Sequence, residues 1–225
     1  MAHQALIEHR PWIVASLAAS AAYYFLWNNP VGGIWLILLK GAGVGFLTIY
    51  AIRRTRGLDG ALLVLVLALA AAADMVLEIN FRLGGAVFLL SHLVACCLYW
   101  RQRQVPPVAM DRAVGLALLL IAPTVSYMVS GNPLIAIYAL SLGLMAAFAW
   151  MSRFPSGRVG LGAILFIFSD WLIFARNGPF DPGPLSDALV WPSYYAAQLL
   201  IATGVVQTLR KSHAARGCHA VPAGA

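Results

Sequence analysis

A chain of 225 residues that is 61% hydrophobic and only 10% charged, with a mean hydropathy of +0.81, carries more apolar surface than a water-soluble fold can hide. Soluble domains carry about 25% charged residues, so a soluble enzyme is excluded and lipid must be the solvent. The net charge of +7 is therefore read through loop position and not as a nucleic-acid signal.

Eight apolar stretches, each of roughly 17–22 residues, are long enough to span a bilayer. They cover residues 11–27, 31–52, 58–77, 83–100, 111–129, 132–151, 157–176 and 190–209. Short connections carry the breakers Asn28-Asn-Pro30, Gly84-Gly85, Pro106-Pro107, Gly131-Asn-Pro133 and Phe154-Pro-Ser-Gly157. The pattern predicts an all-α polytopic bundle of about eight transmembrane helices, a single domain over 1–210. The segment 211–225 is small and polar, and is expected to be a disordered cytoplasmic tail.

The first stretch is longer than the apolar part of a signal peptide and leads directly into further spans, which predicts an uncleaved helix. Span 2 contains Lys40. Span 3 ends in Asp74 and Glu78, one helical turn apart and so on one face. Span 4 carries His92, together with the adjacent Cys96 and Cys97, which read as reduced structural thiols alongside Cys218 of the tail. Tyr127 closes span 5.

Span 7 holds Asp170 inside Gly160-Leu-Gly-Ala-Ile-Leu-Phe-Ile-Phe-Ser-Asp-Trp-Leu-Ile-Phe-Ala175, about 9 Å from the helix end by rise. A carboxylate at such depth costs roughly 2.5–3.5 kcal/mol on insertion scales, which marks it as functional. If span 8 starts at Pro192, a good first helical residue, Gln198 reaches a similar depth, with Tyr194 and Tyr195 one turn above it.

With eight spans, twelve Lys and Arg residues fall on the side of the termini and two, Arg82 and Arg176, on the other, while Lys40 lies within a span. The positive-inside bias predicts cytoplasmic termini, and the short loops suit a bacterial inner membrane. The polar residues then gather in the outer half, where Asp74, Asp170, Lys40, His92, Tyr127, Tyr194, Tyr195 and Gln198 can line one outward cavity. Each also has a bland reading. The tyrosines and Trp191 suit interfacial anchors. Glu78 suits a solvated helix end, and His92 an interhelical hydrogen bond. Asp170 is the hardest to explain away.

Four patterns together resemble the YhhN family of multi-pass lysoplasmalogenases. They are Lys40, Asp74 with Leu77, Gly85-Ala-Val-Phe-Leu-Leu-Ser-His92 with Tyr99, and Gly162-Ala-Ile-Leu-Phe-Ile-Phe-Ser-Asp170. A fifth, Tyr194-Tyr-Ala-Ala-Gln198-Leu-Leu-Ile-Ala-Thr-Gly204, is similar to the family's last helix, so the likeness covers residues 40 to 204. Two positions depart from the family pattern: Gly41 stands where proline is usual, and Ala73 where glycine is usual. The resemblance implies hydrolysis of the vinyl-ether bond of a lysophospholipid substrate, with release of a fatty aldehyde and glycerophosphocholine or glycerophosphoethanolamine.

Such a bond is cleaved by protonating its β-carbon and letting water capture the resulting oxocarbenium ion. That route needs one protonated and one ionised carboxyl group, as in glycosidases. Depth assigns the acid role to Asp170 and the base or cation-stabilising role to Asp74, and the roles are exchangeable. Lys40 or His92 would hold water, a carboxylate or phosphate, and Gln198 with Tyr127, Tyr194 and Tyr195 would orient substrate oxygens. No metal or other cofactor is required, and a lone span histidine argues against a His-rich metal site or bis-histidine haem. The competing reading is a proton-coupled transporter of a small or lipid-like solute, because buried acids also mark ion paths. A non-catalytic lipid-binding bundle is a third class. Oligomeric state is left open.

Overall fold

The computed structural model describes residues 10–27 and 32–219. The described residues form eight helices: α1 (Arg10–Leu26), α2 (Ile34–Arg54), α3 (Gly57–Ile79), α4 (Phe81–Arg101), α5 (Ala109–Ser130), α6 (Pro133–Trp150), α7 (Leu161–Arg176) and α8 (Pro184–His219). A five-residue π-turn, Ser156–Gly160, leads into α7. Seven of these segments are long and apolar enough to cross a membrane, and Pro11–Leu26 is a shorter apolar helix. At 1.5 Å per residue, α1 is about 25 Å long, somewhat less than the ~30 Å hydrocarbon core. The protein is an integral multi-pass membrane protein.

Helix ends follow local chemistry. Asn80 alone separates α3 from α4, and its side chain accepts a 3.0 Å hydrogen bond from Leu83 N, capping α4. Gly131 closes α5 in the left-handed region, and Asn132 caps α6 ahead of Pro133. Three expectations need correction. Gly84 and Gly85 lie inside α4 and do not break the chain, because Asn80 already makes the turn. The last helix starts at Pro184, with Asp187 in its first turn, so Pro192 is an interior proline. The same helix runs on to His219, into the segment expected to be disordered. Asn28-Asn-Pro30 and residues 220–225 lie outside the described residues.

Consecutive helices pack as antiparallel neighbours except at α4, which packs on α3 and α6, while α8 closes the bundle against α1, α2, α3 and α7. Two close approaches hold the layers. A Cβ on Gly84 would lie 2.7 Å from Leu77 N, and one on Gly162 would lie 2.9 Å from the carbonyl oxygen of Ala197. Only glycine allows α4 to meet α3, and α7 to meet α8, at those points. α5 lies outside α6 and α7, with 17% of its span window buried against 56% for the windows of α7 and α8. Its outer face, with Leu116, Leu120 and Ile121, is exposed apolar surface suited to lipid.

The two ends of the bundle differ. At one end the α4–α5 connection is tied to the α6–α7 connection by Gln104 N to Met151 O at 2.9 Å and Arg153 N to Gln102 O at 2.8 Å. Asp59 at the start of α3 accepts hydrogen bonds of 2.8 Å from both Arg101 and Gln102. The opposite end holds Asp74, Glu78 and Asp170.

Candidate active site

Helical periodicity aims one face of each of several helices into a cavity of about 230 Å³ at that opposite end. α3 contributes Asp74, Leu77 and Glu78, spaced three and four residues apart, and α2 contributes Leu36 and Lys40. α8 contributes Asp187, Val190, Trp191 and Tyr194 on the same spacing, while α7 supplies Asp170. The ends of α1 and α7 add Tyr23 and Arg176.

Both aspartates line this cavity, and both are almost fully buried, at 2% exposure for Asp74 and 5% for Asp170. A buried carboxylate needs hydrogen-bond donors, and each is met by a tyrosine on a facing helix. Tyr194 of α8 donates to Asp74 Oδ2 at 2.7 Å, and Tyr138 of α6 donates to Asp170 Oδ2 at 2.9 Å. Among the described residues no hydrogen bond reaches Oδ1 of either aspartate. Gln198, one turn from Tyr194, donates from Nε2 to the Tyr194 hydroxyl at 3.3 Å and stands behind it, away from the cavity wall.

The charged residues nearer the mouth are paired with one another. Lys40 Nζ lies 2.6 Å from Glu78 Oε1, which also accepts from the Tyr23 hydroxyl at 3.2 Å. Arg176 and Asp187 form a second pair at 3.3 Å. A cation, an anion and tyrosine hydroxyls at one rim can receive a zwitterionic head group.

Not every expected residue joins this cavity. Tyr127 is 52% exposed, because α5 is the outermost helix. Tyr195 points away from its neighbour Tyr194 and shares a 2.7 Å hydrogen bond with Ser16 of α1. His92 is buried and packs its ring between Tyr138 and Phe166, with Nδ1 3.4 Å from the Ser141 hydroxyl and Nε2 without a partner among the described residues. Its ring centroid lies 5.5 Å from that of Tyr138. Trp191, read from sequence as an interfacial anchor, is buried and donates from Nε1 to the backbone oxygen and hydroxyl of Ser20, both at 3.0 Å. Tyr138 escaped the sequence reading. Its signal was available: it sits six residues into span 6, about 9 Å deep by helix rise, matching Asp170 in span 7.

The chain is similar along most of its length to curated proteins. Lysoplasmalogenase TMEM86A of Homo sapiens is 27% identical over 232 residues, covering 88% of this chain and 90% of that protein. Lysoplasmalogenase TMEM86B of Sus scrofa is 29% identical over 210 residues, covering 88% and 87%. No solved structure is a significant match. The YhhN family model matches residues 35–205, a stretch that contains both buried aspartates and the tyrosines bonded to them. The chain belongs to the YhhN family.

Proposed function

We propose that the protein is a membrane hydrolase that cleaves the vinyl-ether bond of a lysoplasmalogen, with Asp170 and Asp74 as its acid–base pair. The observation that carries this reading is the meeting of two buried carboxylates, each held by a tyrosine hydroxyl, on the wall of one cavity. Asp170 gives its proton to the β-carbon of the vinyl ether, leaving an oxocarbenium ion. Water adds to that ion as Asp74 takes one of its protons. The hemiacetal then collapses: its hydroxyl proton returns to Asp170 as the carbonyl forms, and the glycerol oxygen leaves with the proton held by Asp74. One water is consumed, and a fatty aldehyde and a glycerophospho alcohol are produced.

Tyr138 and Tyr194 orient the two carboxylates, Gln198 and His92 support the tyrosines, and Lys40 with Glu78 receives the head group at the rim. The twelve-to-two distribution of basic residues supports cytoplasmic termini and a cavity that opens on the outer face. Short connections support a bacterial inner membrane.

A transporter would need a polar path through the other half of the bundle. That half is filled by residues such as Leu47, Leu63, Leu67 and Leu98, all essentially fully buried. The test is incubation of the purified protein with lyso-vinyl-ether and lyso-acyl lipids, with detection of aldehyde. Aldehyde should appear from the vinyl ether only. Asp74→Asn and Asp170→Asn should each lower the rate by about 10²–10⁴, the usual contribution of a general acid or base. Near-wild-type turnover in either variant sinks the pair, and proton-coupled flux in proteoliposomes without aldehyde release supports the transporter.

A further inference from the structure

A second cavity, of about 400 Å³, opens between α3, α4, α6 and α7. Leu77, Phe88, Asp170 and Ile173 line both cavities, so the two share a wall. Their chemistry differs. The first carries Lys40, Glu78, Arg176 and Asp187, whereas the second is walled largely by carbon, including Phe81, Leu89, Ile135 and Phe174. Arg82 and Asn132 stand where α4 and α6 begin, and among the described residues the other polar side chains lining it are the hydrogen-bonded Tyr138 and Asp170. Phe81 and Leu134 on its lining are 45% and 73% exposed, apolar surface that faces hydrocarbon in a bilayer.

We infer that this second cavity seats the hydrocarbon chain of the substrate, so that the lipid lies across Asp170 with its head group in the polar cavity. The inference rests on the proposed hydrolase reading. A single-chain lysolipid has one polar end and one apolar end, and the bond to be cut joins them. The two cavities offer the same two chemistries in contact, and the residue at their boundary is a carboxyl group. The reacting carbon lies on the chain side of the ether oxygen, which makes Asp170, and not Asp74, the carboxyl nearest it: Asp74 lines only the polar cavity.

The apolar cavity would also set chain-length preference. Gly85 lines it, and a Cβ built there meets nothing within 4 Å, so a larger side chain can start from this position and take up part of the cavity. Gly85→Leu should lower the ratio of kcat/KM for long-chain over short-chain lysoplasmalogen by about tenfold or more, the scale on which apolar pockets discriminate methylenes. An unchanged ratio overturns the inference.

A second measurement does not depend on turnover. A saturated-ether lysophospholipid with a diazirine at its chain terminus, photolysed with the wild-type protein in nanodiscs, should label the 81–89 and 134–138 segments. Labels confined to other helices overturn the inference. Labelling at those segments in a protein that releases no aldehyde keeps the chain site and refutes the hydrolase reading instead.

Discussion

The Tyr138 hydroxyl donates a 2.9 Å hydrogen bond to Asp170 Oδ2, joining α6 to the single acid of α7. In the proposed mechanism Tyr138 is a positioning residue: it fixes which oxygen of Asp170 faces the substrate. We predict that Tyr138→Phe lowers kcat by about tenfold, because the bond strengthens by about 1 kcal/mol or more as Asp170 gives up its proton and its oxygens gain charge. The ring would keep its packing against His92 and Phe174, so the thermal midpoint in detergent should hardly move. The pH profile of kcat should change as well, which loss of packing alone would not cause. Wild-type kcat with an unchanged profile would remove Tyr138 from the mechanism.

Gln198, Tyr194 and Asp74 form a hydrogen-bonded chain, and in the proposed mechanism the link nearest the carboxylate matters most. Tyr194→Phe removes the 2.7 Å bond to the carboxylate, whereas Gln198→Leu removes only the 3.3 Å bond to the tyrosine. The expected loss for Gln198→Leu is about threefold to tenfold, matching a neutral hydrogen bond of about 0.5–1.5 kcal/mol. The double variant should be no slower than Tyr194→Phe, because members of one network do not add. Additive losses measured by aldehyde release would show that Gln198 acts independently.

How far these roles were readable from sequence depends on what a sequence encodes about a helix. Apolar run lengths gave the eight helices and their ends to within a few residues in most cases, because the bilayer fixes span length. Depth was also legible, so Asp74, Asp170, Lys40 and Gln198 were found together at one end. Direction around the helix axis was not. Tyr194 and Tyr195 have the same depth, but successive helical residues point about 100° apart, so one meets Asp74 and the other Ser16. Tyr127 failed for a related reason: nothing in its own span says that α5 is outermost. Glu78, read as a solvated helix end, is the partner of Lys40 because α2 packs beside α3.

The Lys40–Glu78 pair should matter for binding more than for folding. Its side chains are 14% and 32% exposed, and Glu78 keeps the Tyr23 hydroxyl as a donor when Lys40 is replaced. We predict that Lys40→Met raises KM for the lysolipid while changing kcat little, the signature of lost ground-state binding. Added salt should produce a milder version of the same change in the wild type. A fall in kcat with unchanged KM would instead place Lys40 among the groups that act on the reacting atoms.

Gly84 sets the spacing between α3 and α4 beside the site. A Cβ there would fall 2.7 Å from Leu77 N and 2.6 Å from Leu77 Cγ, so the two backbones would have to separate. Gly84→Ala should destabilise the fold by about 1–3 kcal/mol through overpacking. It should also lower activity, since Leu77 lies one turn from Asp74 and lines both cavities. Tyr127→Ala is the contrasting case and should leave both thermal midpoint and aldehyde release near wild type. Equal melting temperatures for Gly84→Ala and the wild type would contradict the close approach.

The wall that the two cavities share has a consequence for what happens after bond cleavage. On the proposed reading, cutting the ether would leave the greasy fragment against residues open to hydrocarbon and the phosphate-bearing fragment beside a rim of charges. Neither has to pass the other on its way out. The aldehyde would dissolve sideways into the leaflet while its counterpart diffuses into water, so the two products would leave into different phases by separate exits.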